Sequence, residues 1–124
     1  DTQTGPADYD AIVTGDLGQV GHDLLMQLMR EQRMPFIDER YHDCGLLIFD
    51  REQQDVHAGG SGCGCSAAVL NGYFLPKLQS GEVGRIIFMA TGALMSTTSS
   101  QQGETIPGVA HAVVLESPQR GKKE

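Results

Sequence analysis

Three short apolar runs limit this chain's fold more than any other feature: Ile12-Val13, Leu46-Leu47-Ile48-Phe49 and Ile86-Ile87-Phe88-Met89. None is interrupted by a polar residue, which is the pattern of strands covered on both faces. The expected strands run from Ala11 to Thr14, from Gly45 to Phe49 and from Arg85 to Ala90. A fourth, Val109 to Glu116, follows a long loop rich in Ser, Thr, Gln and Gly. Between the first two, Val20, Leu24, Leu25, Leu28 and Met29 recur at helical spacing. That helix should stop before Pro35, because the residue preceding proline disfavours helical backbone. A second helix is expected from near Gly62, past Leu70, Phe74 and Leu78, to Ser80-Gly81. Pro76 lies inside it, and a proline ring collides with the carbonyl four residues back. That residue is Gly72, so a kink is expected rather than a break.

Two strand–helix–strand crossovers imply parallel strands with right-handed connections. The last two strands, joined without a helix, most simply run antiparallel. The expected fold class is therefore α/β, a β-α-β-α-β-β unit with a mixed sheet and helices packed on it. Crossovers that advance in one direction place both helices on one face. The other face would then be bare, which a soluble monomer does not tolerate in an aliphatic sheet. The expectation is a part of a larger protein or of an obligate assembly.

At 124 residues the chain is about the size of one domain. Residues 1–10 read as a connector, 11–116 as the core and 117–124 as a polar tail. With 6% aromatic residues and no Trp, that core is aliphatic. A net charge of −7 argues against a nucleic-acid partner, since phosphate neutralisation needs clustered Lys and Arg. The one basic cluster, Arg120-Gly121-Lys122-Lys123, is short and reads as solvated. No apolar run approaches the ~18 residues of a membrane span, so any work at a membrane is done from its surface. Three cysteines, Cys44, Cys63 and Cys65, fit a reducing, intracellular setting better than a disulfide scaffold.

The chemistry-bearing residues gather around Gly60 to Ser66, seven consecutive small residues leading into the second helix. Such a segment either cradles an anion with its backbone N–H groups or simply allows close helix packing. It lacks a Walker or dinucleotide pattern, which weakens the anion reading. Cys63 and Cys65 admit a nucleophile, metal ligands or packing. A Cys-x-Cys pair alone does not complete a zinc set, so packing is favoured. The helix start leaves thiol reactivity at Cys63 open. Cys44 reads as a buried small hydrophobe. His57 follows the second expected strand, where polar groups of α/β folds collect, and equally fits an exposed loop histidine. His22 reads as a rim residue of the first helix and His42 as part of a charged loop. His111 alternates with Val109, Val113 and Leu115, which favours a core or interface position. Asp16 is a helix cap or a base, and capping is favoured. The loop Ser96-Thr97-Thr98-Ser99-Ser100-Gln101-Gln102 is longer than a simple turn and reads as functional, for a polar ligand or a partner.

Three segments carry a family likeness: Tyr9 to Gly18, Asp55-Val56-His57 through Ala67, and Ala90 through Ala112. The most specific stretch is Gly103-Glu104-Thr105-Ile106-Pro107 with Ala110-His111-Ala112-Val113. In these the chain resembles the stage V sporulation protein AD family, thiolase-like proteins of endospore formers. The resemblance implies a thiolase-like fold of two similar halves, this chain being most of the second. The first half, with the Cys nucleophile that thiolases and ketoacyl synthases use, is expected outside this chain. Asp16 stands near the position of the usual His, and Ser61 near that of the usual Asn. Both departures remove groups that activate or stabilise acyl transfer, although His57 remains close by. The family's use of the fold is uptake of dipicolinic acid, with calcium, into the developing spore. That implies membrane proteins of the same uptake system as partners, the protein's own N-terminal half, a homodimer, and a place peripheral to the spore inner membrane. No cofactor is implied. The expected ligand-binding residues are His57, Gly60, Ser61, Gly62, Cys63, Asp16 and Gly92. Two rivals are an acyltransferase using Cys63 or Cys65 with His57, and a purely structural subunit.

Overall fold

A computed structural model describes residues 3–35, 38–90, 92, 96–106 and 108–120. Its centre is a four-stranded mixed sheet with strand order β2-β1-β3-β4, formed by β1 (Ala11–Thr14), β2 (Tyr41–Asp43), β3 (Arg85–Ala90) and β4 (His111–Glu116). β1 pairs in parallel with both β2 and β3, and β4 closes antiparallel on β3. Every residue of β1 is buried, as its unbroken apolar run requires. The mixed α/β class and the antiparallel last pair are as expected from the sequence.

Two corrections concern β2 and the crossovers. The second strand is Tyr41–Asp43, not Gly45 to Phe49. The Leu46–Phe49 run instead begins inside a single helical turn, α2 (Cys44–Leu47), and continues past it, with Ile48 packed on the core and Leu47 and Phe49 exposed. Asp43 switches the chain from strand to helix, because its carboxylate is committed to the turn after β1. The crossovers also do not advance in one direction. The chain steps from β1 out to β2, then returns past β1 to β3. Right-handed connections of opposite sense place their helices on opposite faces.

Helix α1 (Gly18–Glu31) accordingly covers one face, where Met26 packs with Tyr9, Ile12 and Tyr41. The second crossover covers the other, where Cys65, Val69, Phe74 and Leu78 meet Ala11, Val13, Ile86 and Phe88. Val13 and Ile86 are fully enclosed there. Burying each such side chain stabilises the fold by about 1.5–3 kcal/mol. The second crossover helix runs as α3 (Cys65–Val69), a wider π turn (Leu70–Phe74) and α4 (Leu75–Ser80). The Leu75 amide reaches back to the Leu70 carbonyl, so the turn loosens just before Pro76. The proline is absorbed without a break. A left-handed Gly81 at φ +77° ends the helix.

The incomplete cover lies along β4 rather than over one whole face. Val113 and Val114 point to opposite sides of the sheet and both are exposed. His111 is exposed too, which excludes the core half of the core or interface position that its alternation with Val113 and Leu115 favours, and the strand begins at His111 rather than Val109. Within residues 1–10, Tyr9 is buried and Asp10 Oδ2 accepts from the amides of Gly84 and Arg85. Ser117 is buried and donates its amide to the Gly84 carbonyl. Helix α5 (Thr97–Gln101) lies in the Ser/Thr-rich loop, capped by Ser96 Oγ. Thr91, Ala93, Leu94 and Met95 of that stretch, Pro107, and Gly121 to Lys123 of the basic cluster lie outside the described residues.

Candidate functional site

The parallel strands end together. Thr14 sits opposite Asp43 on one side and Met89 on the other, so the segments after β1, β2 and β3 emerge at one carboxyl edge. That edge is where α/β folds place their ligands. Buried Asp43 organises it. Its Oδ1 accepts from the Thr14 hydroxyl at 2.7 Å and the Leu17 amide at 2.9 Å, and its Oδ2 accepts from the Gly18 amide at 2.9 Å. Since Thr14 spends its proton on Asp43, the Tyr41 hydroxyl donates to Thr14 Oγ1 at 2.7 Å. Burial first, and the nearby Asp43 carboxylate, push the Tyr41 phenol up to about 12. The His22 ring stacks on Tyr41 with centroids 5.2 Å apart.

Sequence reasoning assigned the capping role to Asp16, and the structure gives it to Asp43. Asp16 instead crosses to the glycine-rich loop, where its Oδ2 accepts from the Gly62 amide at 3.1 Å and the Ser61 hydroxyl at 3.3 Å. Asp43 was missed because Asp38-Glu39-Arg40 and Asp43 made this stretch resemble a charged loop. The alternation of Tyr41, His42 and Asp43 ahead of Cys44-Gly45 was the available signal. His42 is accordingly a strand residue, half-buried near Phe74, and burial lowers its pKa.

The glycine-rich loop has a crowded half and an open half. Arg51 donates to the His57 carbonyl and to Gln19 Oε1, and the Gln19 amide donates to the Ala58 carbonyl at 2.7 Å. The Gly60 amide donates to the Gly45 carbonyl at 2.6 Å. A methyl group on Gly45 would lie 2.5 Å from the Gly60 carbonyl oxygen, and one on Gly60 would strike Ile48. Beyond Gly60 this crowding ends: among the described residues, chain neighbours aside, nothing stands within 4 Å of the corresponding positions on Gly62 and Gly64.

Of the seven expected ligand residues, Asp16, Ser61 and Gly62 meet directly, and Gly60 anchors the loop behind them. Cys63 follows on the loop and is exposed. His57 does not join them. Its side chain is 89% exposed and lies 3.6 Å from Asp55, while its backbone adopts φ +46°. Gly92 emerges from β3 at the same carboxyl edge, where its carbonyl accepts from the Val109 amide and its Cα faces the Val109 carbonyl. Cys44 is fully buried, and burial with the Asp43 charge pushes its thiol up to about 12. Burial, then Asp16 and Asp43, also raises the Cys65 thiol, which opposes thiolate formation there. Among the described residues no three His, Cys, Asp or Glu side chains gather to hold a metal ion. No helix among them is long and apolar enough to cross a membrane.

Residues 1–116 match the family model described as stage V sporulation protein AD (SpoVAD). The chain belongs to that family. It is 48% identical over 109 residues to stage V sporulation protein AD of Bacillus subtilis (strain 168), an alignment covering 88% of this chain and 32% of that protein. The chain thus spans about a third of this relative's length. Membership in the family places the chain in sporulation. The three segments that carried the resemblance all lie within the matched residues.

Proposed function

We propose that this chain is the ligand-binding part of a non-catalytic, thiolase-like spore protein that binds dipicolinic acid and supports its calcium-linked uptake into the developing spore. The observation that carries this reading is the convergence of the Ser61 hydroxyl and the Gly62 amide on a carboxylate oxygen at the carboxyl edge of the sheet. A hydroxyl and a backbone amide directed to one point suit a dicarboxylate ligand. Among the described residues no neighbour crowds the outer side of Gly62 or Gly64. Gly60 anchors the loop behind that place and exposed Cys63 follows Gly62 on it.

The acyltransferase reading is less well supported by the cysteines. Cys65 is buried with a raised thiol pKa, and His57 is paired with Asp55 rather than with a thiol. Exposed apolar residues along β4 and α1 support the further proposals of a covering N-terminal half and a homodimer. Membrane proteins of the uptake system and a place at the inner-membrane periphery complete the reading. Calorimetry with dipicolinate on a polypeptide containing both halves tests it, and saturable heat is expected. Absence of heat, together with acyl-thioester turnover that Cys63→Ala abolishes, would establish the acyltransferase instead.

A further inference from the structure

We infer that the α1 face of the sheet receives a helix of the same polypeptide, from the segment that precedes this chain in the full-length protein. The inference rests on the reading above that an N-terminal half covers exposed apolar surface, and it fixes where and in what form that cover arrives. Apolar side chains run more than half-way around α1. Leu25 and Met26 meet the core, while Val20, Leu24 and Leu28 form a row at i, i+4 and i+8 whose members are each more than half exposed. Gln19, Asp23, Gln27 and Arg30 fill the remaining side. One apolar stripe is enough to seat a helix on a sheet. A second row spaced by four is the ridge by which one helix packs against another.

Beside that row the sheet supplies a floor. α1 lies over β1 and β2, where Ile12 and Tyr41 meet Met26. On the same face Ile87 of β3 stands opposite Val114 of β4, and Met89 opposite Ala112, with Ala112 and Val114 exposed. Leu25, Met29, Ile87 and Met89 line an apolar groove of about 440 Å³ between helix and floor. Two strand spacings come to about 9.5 Å, within the roughly 8–10 Å that separates packed helix axes. A helix laid over β3 and β4 therefore meets the floor and the α1 row together. The two ends of the chain decide which segment supplies it. Thr4, Gly5 and Pro6 form part of the groove's wall, so polypeptide preceding them reaches it directly. Residues after β4 run to the other face, where Gln119 Nε2 donates to the Gln79 carbonyl of α4. About two thirds of the Bacillus subtilis relative lies outside the stretch that this chain matches, which is ample length for such a helix.

The test is photo-crosslinking within the native full-length polypeptide, with p-benzoylphenylalanine placed singly at Leu28, at Val114 and, as a control, at Asp23 on the polar side of α1. Leu28 and Val114 are expected to give an adduct that keeps the mobility of one polypeptide and maps by mass spectrometry to residues preceding this chain, at three- to four-residue intervals. Asp23 is expected to give none. An adduct with the mobility of two polypeptides assigns the face to a second copy and overturns the inference. Absence of an adduct, an adduct elsewhere in the sequence, or an equal yield at Asp23 overturns it too. Should one of the two variants fail to fold, the other decides by the same criterion. Leu24→Asp in the same polypeptide reads the burial independently. Its unfolding constant in urea should rise about tenfold or more, and an unchanged constant returns the α1 row to solvent. Dipicolinate calorimetry is a separate readout: an intramolecular adduct without dipicolinate heat keeps the docked helix and removes only the ligand.

Discussion

Two aspartates stand at the same edge of the sheet and do opposite kinds of work. Asp43 is 2% exposed, and its three bonds of 2.7–2.9 Å tie β2 to the end of β1 and the start of α1. Asp16 is half-exposed, and its bonds to Ser61 and Gly62, at 3.3 and 3.1 Å, reach a loop rather than the core. A buried carboxylate is retained only when every donor is well placed, because stripping water from a charge is costly. An exposed one keeps water as an alternative partner, so its protein contacts remain exchangeable. Neighbouring residues of one type thus divide into an anchor and a movable contact.

The anchor should be the more expensive to remove. Asp43→Ala leaves the Leu17 and Gly18 amides and the Thr14 hydroxyl without their acceptor, and is expected to cost about 3–5 kcal/mol in urea unfolding. A loss under about 1 kcal/mol would erase the distinction between the two aspartates. Next comes the loop's crowded half. Gly60→Ala drives a methyl group into Ile48 and should destabilise by about 1–3 kcal/mol, while Gly64→Ala should stay within about 0.5 kcal/mol. Equal effects at the two glycines would mean that the loop is not divided as described.

A smaller and pH-dependent effect follows from the thiol beside the anchor. Cys44 titrates near 9 when unfolded and about 12 when folded, so the folded chain holds its proton longer. Its contribution is intact below pH 9 and declines as pH rises toward 12. Cys44→Ala should flatten the fall in urea midpoint between pH 8 and 10, and an unchanged slope would assign that fall elsewhere, with Tyr41 the next candidate. The smallest effect belongs to the movable contact. Asp16→Asn should change stability by no more than about 0.5 kcal/mol.

Much of the scaffold is written in local patterns. The Ile12-Val13 and Ile86–Met89 runs mark β1 and β3, and the apolar spacing marks α1 as a helix but not its packed face: Met26 and Leu25 meet the core, while Val20, Leu24 and Leu28 of the expected stripe are exposed. The second strand is not marked this way, because four consecutive apolar residues fit a helical turn as well as a strand. What decides between them is Asp43, whose partners lie more than twenty residues upstream. The order of the strands is likewise absent from local sequence, since the return of the chain past β1 depends on which edges find each other. In the site, the glycines announced the loop, but the role of Asp16 could not be read beside β1. Its position after a strand suits a cap, and only the fold reveals that another carboxylate already fills that place.

The touching backbones of Gly45 and Gly60 have an evolutionary consequence. Where two side chains meet, one can shrink as the other grows, and a lineage can wander through compensating pairs. Here neither residue has anything to shrink, so the turn after β2 and the loop that faces it offer no such path. These two positions should tolerate almost no drift.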